Sequence, residues 1–491
     1  MLVFISDLHM TDKTSGMQFV PVEAFQRAFG EIAQHAINAG SAKVELIFLG
    51  DVFDLVRTTQ WFDIPLAERP WGDPNGNGNS AAAERHALEL LNFLVTENAE
   101  VFEFLQAPEK TLPTWAELIK RGVTLTRVYL PGNHDRICNQ FPSLRTRVSE
   151  LLCLQRRDPA APFPNIYKNP KYRTFARHGH EFDTWNIELS SPPPMDNAQI
   201  YPWGDYLKIP IGELIACELA SKLAPACAQV LTDRHYPKPN DIANQLRTVD
   251  DVRPVIGIVP WLFDRLHHFE ESQQDDVLEA VKTGVNEVLH SFGDIPFVRR
   301  WIETHDTISP VDPASLLKDI LFLGERIPIA VLKPLMPLFQ KASALRESDN
   351  LAGNAISDFD RLDALDRGNP DALPYLYVLY GHTHLPQQVP IEVLTQGDQP
   401  RVYLNTGTWR PSHQQGIKGK GFISWKGMTY SMIYHPDDDP LSQSARQPFQ
   451  RAESGDRYPT FEVWTGALEE HPITAEAAGN DKSDTPSAET K

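Results

Sequence analysis

Asp7-Leu8-His9, Gly50-Asp51-Val52-Phe53-Asp54, Gly132-Asn133-His134-Asp135, His178-Gly179-His180 and Gly381-His382-Thr383-His384 are short clusters of metal-ligand residues scattered along the chain. A carboxylate and an imidazole two residues apart, as in Asp7 and His9, suit a first-row divalent cation. An extended backbone there would aim both side chains the same way. Asp51 follows a glycine, which permits the close turn needed to set a carboxylate between two ions. A bridging carboxylate is what two dications about 3.5–4 Å apart require. Asn133 offers a neutral amide oxygen, and His178, His382 and His384 offer imidazoles. The set holds no thiolate, so Mn, Fe, Zn and Co all suit it, and ligand type does not choose among them.

Elements must hold these residues in place. Leu2–Ile5 and residues 44–49, 127–130 and 375–380 are short apolar runs, each ending at a cluster, and they read as buried strands. Val22–Ala39 has a helical period and Gly40 stands as its C-cap. Alternating strands and helices predict an α/β fold, in which ligands gather at the carboxyl ends of strands. Residues 65–80, rich in Pro, Gly and Asn, form a loop placed to overhang the site. Residues 81–105 read as one long helix capped by Ser80. A hairpin is expected over 165–176 with Asn169-Pro170 at its turn. Residues 401–404 read as a strand, and Phe422–Tyr434 as a hairpin turning at Lys426-Gly427.

The order of these clusters resembles the calcineurin-like metallophosphoesterases. The likeness covers about 1–190 and 372–435. It implies a four-layer α/β/β/α sandwich carrying two divalent metal ions. Asp7, His9, Asp51 and His384 would hold the first ion, and Asp51, Asn133, His178 and His382 the second, with Asp51 bridging. His134 would not be a ligand; it would assist the leaving oxygen, oriented by Asp54. That dyad makes chemical sense, because a carboxylate on one ring nitrogen fixes the tautomer and leaves the other nitrogen a donor. The implied reaction is hydrolysis of a phosphate ester by in-line attack of a metal-bridging hydroxide. Monoester, diester and pyrophosphate substrates stay open, with a small phosphorylated compound preferred. The other class of reading is a metal-containing scaffold or binding protein, which would have no need of a leaving-group donor.

Several side chains carry two readings. His178 matches the ligand position better than His180, and Asp183 can support either. Asp135 suits a turn-stabilising role. Arg57 and Arg136 flank the clusters and can pair with phosphate or with surface carboxylates. Asn405-Thr406-Gly407-Thr408-Trp409 resembles a segment supporting the site, with Trp409 in packing. His235, His267 and His268 lack an evident carboxylate partner, and Asp437-Asp438-Asp439 lacks the ligand ladder of an EF-hand.

The chain divides by composition into a core at 1–190, a mostly helical insertion at 191–371, a second core part at 372–468 and a disordered tail at 469–491. Helical patterns within the insertion fall at 211–223, 276–292 and 314–323. Entering and leaving beside the fourth and fifth clusters, the insertion can roof the cleft and set substrate choice, or offer a surface to a protein partner. The 491 residues carry a formal charge of −19, which disfavours a non-specific grip on nucleic acid. Four cysteines without a Cys-x-x-Cys pair suit buried thiols in a reducing cytosol. No signal peptide or membrane-spanning stretch is expected, and residues 327–339, broken by prolines, read as a packed helix or as a lipid contact. The expected location is cytoplasmic.

Overall fold

The computed structural model describes residues 1–468 apart from 16–19, 74–79, 188, 192, 194, 196–200, 237–238, 254–260, 262–263, 266–270, 306–347, 370, 395–398, 417–420 and 439–457. The fold is mixed α/β, built on two mixed sheets. The first runs β3 (Thr124–Leu130), β2 (Lys43–Leu49), β1 (Leu2–Ile5), β11 (Phe422–Tyr434), β10 (Pro411–Gln415), β6 (Val252–Arg253), with β12 (Thr460–Leu468) also on β11. The second runs β4 (Ile166–Asn169), β5 (Thr174–Arg177), β7 (Tyr377–Tyr380), β9 (Gln399–Asn405), β8 (Gln387–Leu394). β1, β2 and β3 are parallel to one another, as are β5, β7 and β9.

Alternation along the strands explains the core. Leu2 and Phe4 of β1 and Ile47 and Leu49 of β2 share one apolar cluster with Leu379 of β7 and Leu404 of β9, so the two sheets bury side chains against each other. The opposite face of the first sheet, with Val3, Ile5, Leu46 and Phe48, packs on Phe25, Phe29 and Ile32 of the helix Val22–Ala39. Gly40 ends that helix at φ +66°, donating its N–H to the Ala36 and Ile37 carbonyls. On the second sheet, Phe175, Val378 and Tyr403 pack on Ala355, Phe359 and Leu362 of the helix Ser348–Asp366.

Two elements of the core differ from expectation. The expected helix over 81–105 is two helices, Ala81–Glu97 and Ala99–Gln106, with Ser80 capping the first through Ala83 N. Asn98 divides them because its amide donates to the Leu94 and Thr11 carbonyls, tying the break to the loop after Asp7 and His9. Phe422–Tyr434 is one continuous strand rather than a hairpin. Lys426-Gly427 does not turn; there β11 leaves β10 and goes on beside β1 and β12.

The insertion is helical among the described residues, except for β6. Residues 314–323 and 327–339 and the tail at 469–491 lie outside the described residues. Apolar packing is continuous across the expected boundary near 190. Ile211, Leu214, Phe292 and Trp301 belong to the same apolar cluster as Phe25, and β6 extends the first sheet through His413↔Val252. The helix expected at 211–223 runs on to Asp233, with a π-helical stretch at Ile215–Ser221. Pro225 lacks the N–H that would bond Ser221 O, and its ring crowds that carbonyl. By length and composition Ile211–Asp233 is apolar enough to cross a bilayer, contrary to expectation; half of its most apolar window is buried inside the molecule. Its acidic side chains Glu213 and Glu218 are buried and paired with Arg136 and Arg69.

Candidate metal centre

Each cluster follows the carboxyl end of a parallel strand. Asp7 and His9 follow β1, Asp51 and Asp54 follow β2, and Asn133 and His134 follow β3; His178 follows β5, and His382 and His384 follow β7. Because the two sheets face each other, both sets of strand ends deliver side chains to one place. The structure brings together all the expected ligand residues. His384 Nε2 lies 2.9 Å from His9 Nε2 and 3.3 Å from Asp7 Oδ1. Asp51 Oδ2 lies 3.6 Å from His9 Nε2 and 3.3 Å from His178 Nε2. His382 Nδ1 lies 3.1 Å from Asn133 Oδ1, with its ring centroid 5.4 Å from that of His178.

The backbone corrects one expectation. Asp7 and His9 are not extended but left-handed, at φ +50° and +45°, and Asp51, His382 and His384 share this region at +52°, +69° and +62°. Such residues cost about 1–3 kcal/mol each and persist only where their surroundings over-determine them. Here the loops lace together: His9 N donates to Asp51 O at 2.8 Å, Gly381 N to His178 O at 2.8 Å, and Trp409 N to Asp7 O at 3.2 Å.

Glycines make this density feasible. A Cβ on Gly50 would strike the His178 ring, one on Gly132 the Asp51 carboxylate, and one on Gly381 the Asp7 carboxylate. Gly132 is not left-handed, so alanine there meets only the clash. Gly132→Ala is expected to displace Asp51 and to weaken metal retention at least about tenfold, on the scale of other shell mutations. Gly30→Ala, in open space on a helix, is the control expected to retain full metal. Metal content after dialysis reads both.

The charges fit a cation. Burial alone would push Asp7 and Asp51 up, but the histidines around them, His178 foremost, outweigh it and hold both carboxyls well below the usual range. Against its own burial, the nearby Asp51 carboxylate pushes His178 up to about 10. His9 Nδ1 faces Asp54 Oδ2 at 3.0 Å. Arg57 Nη2 also lies 3.1 Å from His9 Nδ1; with its proton on Nδ1 toward Asp54, His9 would present its Nε2 lone pair to His384, Asp7 and Asp51. A point where two imidazole nitrogens and two carboxylates converge is short of positive charge, and a first-row divalent ion suits such nitrogen and oxygen donors. Ligand atoms of Asp7, His9 and His384, and those of Asp7, Asp51 and His178, lie within 4.8 Å of one another.

Asp54 does more than expected. It holds His134 Nδ1 at 3.1 Å, as foreseen, and also His9 Nδ1 and the Arg57 guanidinium, whose Nε lies 2.7 Å away. Burial opposes both charges, yet Asp54 stays well below its usual value beside Arg57, and His134 is raised beside Asp54. His134 keeps a partly exposed side chain, 19%.

Other residues resolve as follows. Arg57 and Arg136 are buried, not on the surface; Arg57 pairs with Asp54, and Arg136 with Glu213 of the insertion. Asp135 accepts from Val52 N and Gly132 N, the turn-stabilising role expected, and burial beside Asp51 pushes it up to about 7. His180 is buried against His178, and desolvation pushes it down to about 4. Asp183 reaches neither His178 nor His180 but His382 Nε2, at 3.4 Å. Trp409 packs on Phe25 and donates to Thr429 O. Thr408 and Asn405 bond the Asp7 and Gly381 carbonyls. His235 Nδ1 donates to the Thr232 carbonyl at 3.3 Å; His267, His268 and Asp439 lie outside the described residues. Cys138, Cys217 and Cys227 are buried free thiols and Cys153 is exposed. Asn186, which reading the sequence missed, bonds both Asn133 and Asp183. Its place three residues after Asp183 was the only signal.

Compared with models of known protein families and with curated proteins, the chain matches none.

Proposed function

We propose that this chain is a dinuclear metal-dependent phosphoesterase of the calcineurin-like type, hydrolysing an ester of a small phosphorylated compound. The observation that carries the reading is the place of Asp51, whose Oδ2 stands between His9 of one ligand group and His178 of the other. The packing of helix Val22–Ala39, the first sheet, the second sheet and helix Ser348–Asp366 supports an α/β/β/α layering.

Asp7, His9, Asp51 and His384 would hold one cation, and Asp51, Asn133, His178 and His382 the other. When bound, such a pair of cations polarises phosphorus and makes hydroxide available near neutral pH. The rest is work for the chain. Asp54 takes His134 Nδ1–H and leaves Nε2 to face the cleft, where it donates to the departing oxygen. Asp54 also fixes His9 with its lone pair inward. Left-handed loops and glycines hold the ligands before substrate arrives, so little reorganisation is needed at the moment of reaction.

Hydrolysis of bis-p-nitrophenyl phosphate and p-nitrophenyl phosphate with added Mn²⁺ tests the reading. Turnover of at least one is expected, lost on chelation and restored on adding metal back. A metal-loaded protein that turns over neither ester nor a panel of nucleotides and pyrophosphates removes the enzyme reading and leaves a scaffold.

A further inference from the structure

Histidine and asparagine are the two ligand types that can present the wrong atom. A histidine may carry its proton on either nitrogen, and an asparagine may turn its NH₂ where its oxygen is needed. Both types serve the second proposed cation, through His382 and Asn133. The structure shows one carboxylate placed to govern both. His382 Nε2 lies 3.4 Å from Asp183 Oδ2. The same oxygen accepts Asn186 Nδ2 at 2.6 Å, and Asn186 Oδ1 accepts Asn133 Nδ2 at 3.1 Å.

We infer that Asp183 is a positioning residue, which sets the tautomer of His382 directly and the amide orientation of Asn133 through Asn186. The inference rests on the dinuclear reading above. Its logic is directional. An ionised carboxylate only accepts, so Asn186 must turn its NH₂ toward Asp183. Asn186 then has only its oxygen left for Asn133, and an oxygen can take only the NH₂ of Asn133. The Asn133 oxygen is thereby turned inward. By the same rule His382 Nε2 carries the proton toward Asp183, and Nδ1 is left as a bare lone pair. The result is a nitrogen lone pair and an amide oxygen facing each other at 3.1 Å, an arrangement suited to sharing a cation.

The turn that carries these residues is itself held. Trp185 N donates to Asp183 Oδ1 at 2.9 Å, and Asn186 N to Asp183 O at 2.9 Å. The insertion backs it: Gly212 N donates to Trp185 O at 2.8 Å, and a Cβ on Gly212 would press on Asn186 Oδ1 at 2.7 Å. Thus the start of the helix Ile211–Asp233, in the insertion, touches the turn that supports the second proposed cation.

The test is titration of the metal-free, full-length protein with Mn²⁺, followed by calorimetry. In Asp183→Asn the side chain keeps its size but no longer forces the direction of either neighbour. One of the two Mn²⁺ sites should lose affinity about 10–100-fold, the range for partners that orient a ligand, while the other stays within about twofold. Asn186→Ala should act in the same direction on the same site, and it serves as the second variant where Asp183→Asn lowers yield. Two Mn²⁺ bound by both variants with parent affinity overturns the inference. Equal weakening of both sites also overturns it, since a general loosening of the fold would do that. A parent protein that binds fewer than two Mn²⁺ fails earlier, at the dinuclear reading.

Discussion

Replacing His134 with alanine is expected to leave the protein folded and loaded with metal while lowering turnover about 10²–10⁴-fold. The prediction follows from where its atoms go. His134 Nδ1 is spoken for by Asp54, and its side chain is the partly exposed member of a buried cluster. Alanine keeps the backbone N–H that donates to Asp51 Oδ1 at 2.9 Å, so the shared carboxylate keeps its support. What disappears is the proposed proton donor. Asp54→Asn is a worse probe of the same dyad. That carboxylate also holds His9 and the buried Arg57, so neutralising it disturbs a proposed ligand and removes the charge that faces a buried guanidinium. The two variants should therefore differ in kind: His134→Ala inactive with full metal, Asp54→Asn inactive with metal lost. Metal analysis beside kcat separates them. A His134→Ala protein running at the parent rate removes the donor role, and one that has shed metal makes His134 a ligand.

Much of the centre was legible because its residues are local. Each cluster is a few residues long and abuts an apolar run, so strand, turn and ligand appear together in one window of sequence. Asp7 and Asp51 through to His384 could be named without knowing how the strands pair. What could not be read is anything that depends on two distant windows meeting. The left-handed backbone of Asp7 and His9 comes from hydrogen bonds to the Asp51 and Trp409 backbones. The double duty of Asp54 needs His9 to arrive from another strand. Arg57 and Arg136 read as phosphate partners or surface charges because the carboxylates that bury them stand elsewhere in the chain or out of sight in the turn. The false hairpin at Lys426-Gly427 has the same origin. Gly in a strand signals a turn by local rule, but β11 is long because three other strands bond it along its length.

Asp358→Ala is expected to destabilise the fold by about 3–5 kcal/mol, the usual penalty for stripping one partner from a buried ion pair. Arg177 and Asp358 are each 0% exposed. Arg177 Nε lies 3.0 Å from Asp358 Oδ2, which also accepts Tyr380 OH at 2.7 Å. Alanine would leave a guanidinium among the Phe175 and Phe182 rings, one residue before His178, and a phenol without its acceptor two residues before His382. The urea midpoint should fall with an unchanged slope. Glu117→Ala, which breaks the exposed Arg121 pair, should cost no more than about 1 kcal/mol. Equal losses from the two substitutions would show that the buried pair contributes no more than a surface one. The pair is not alone. Arg136 meets Glu213, Arg177 meets Asp358 and Arg410 meets Asp251. In every case the buried arginine lies outside the insertion and the carboxylate inside it; Arg136 and Arg177 directly adjoin the candidate ligand clusters, and Arg410 follows the segment that bonds the Asp7 carbonyl. Excising residues 195–368 would therefore remove carboxylate partners of Arg69, Arg136, Arg177 and Arg410, and would report on stability rather than on substrate choice. Any specificity held by the insertion has to be sought with single substitutions that keep Glu213, Glu218, Asp251 and Asp358 in place.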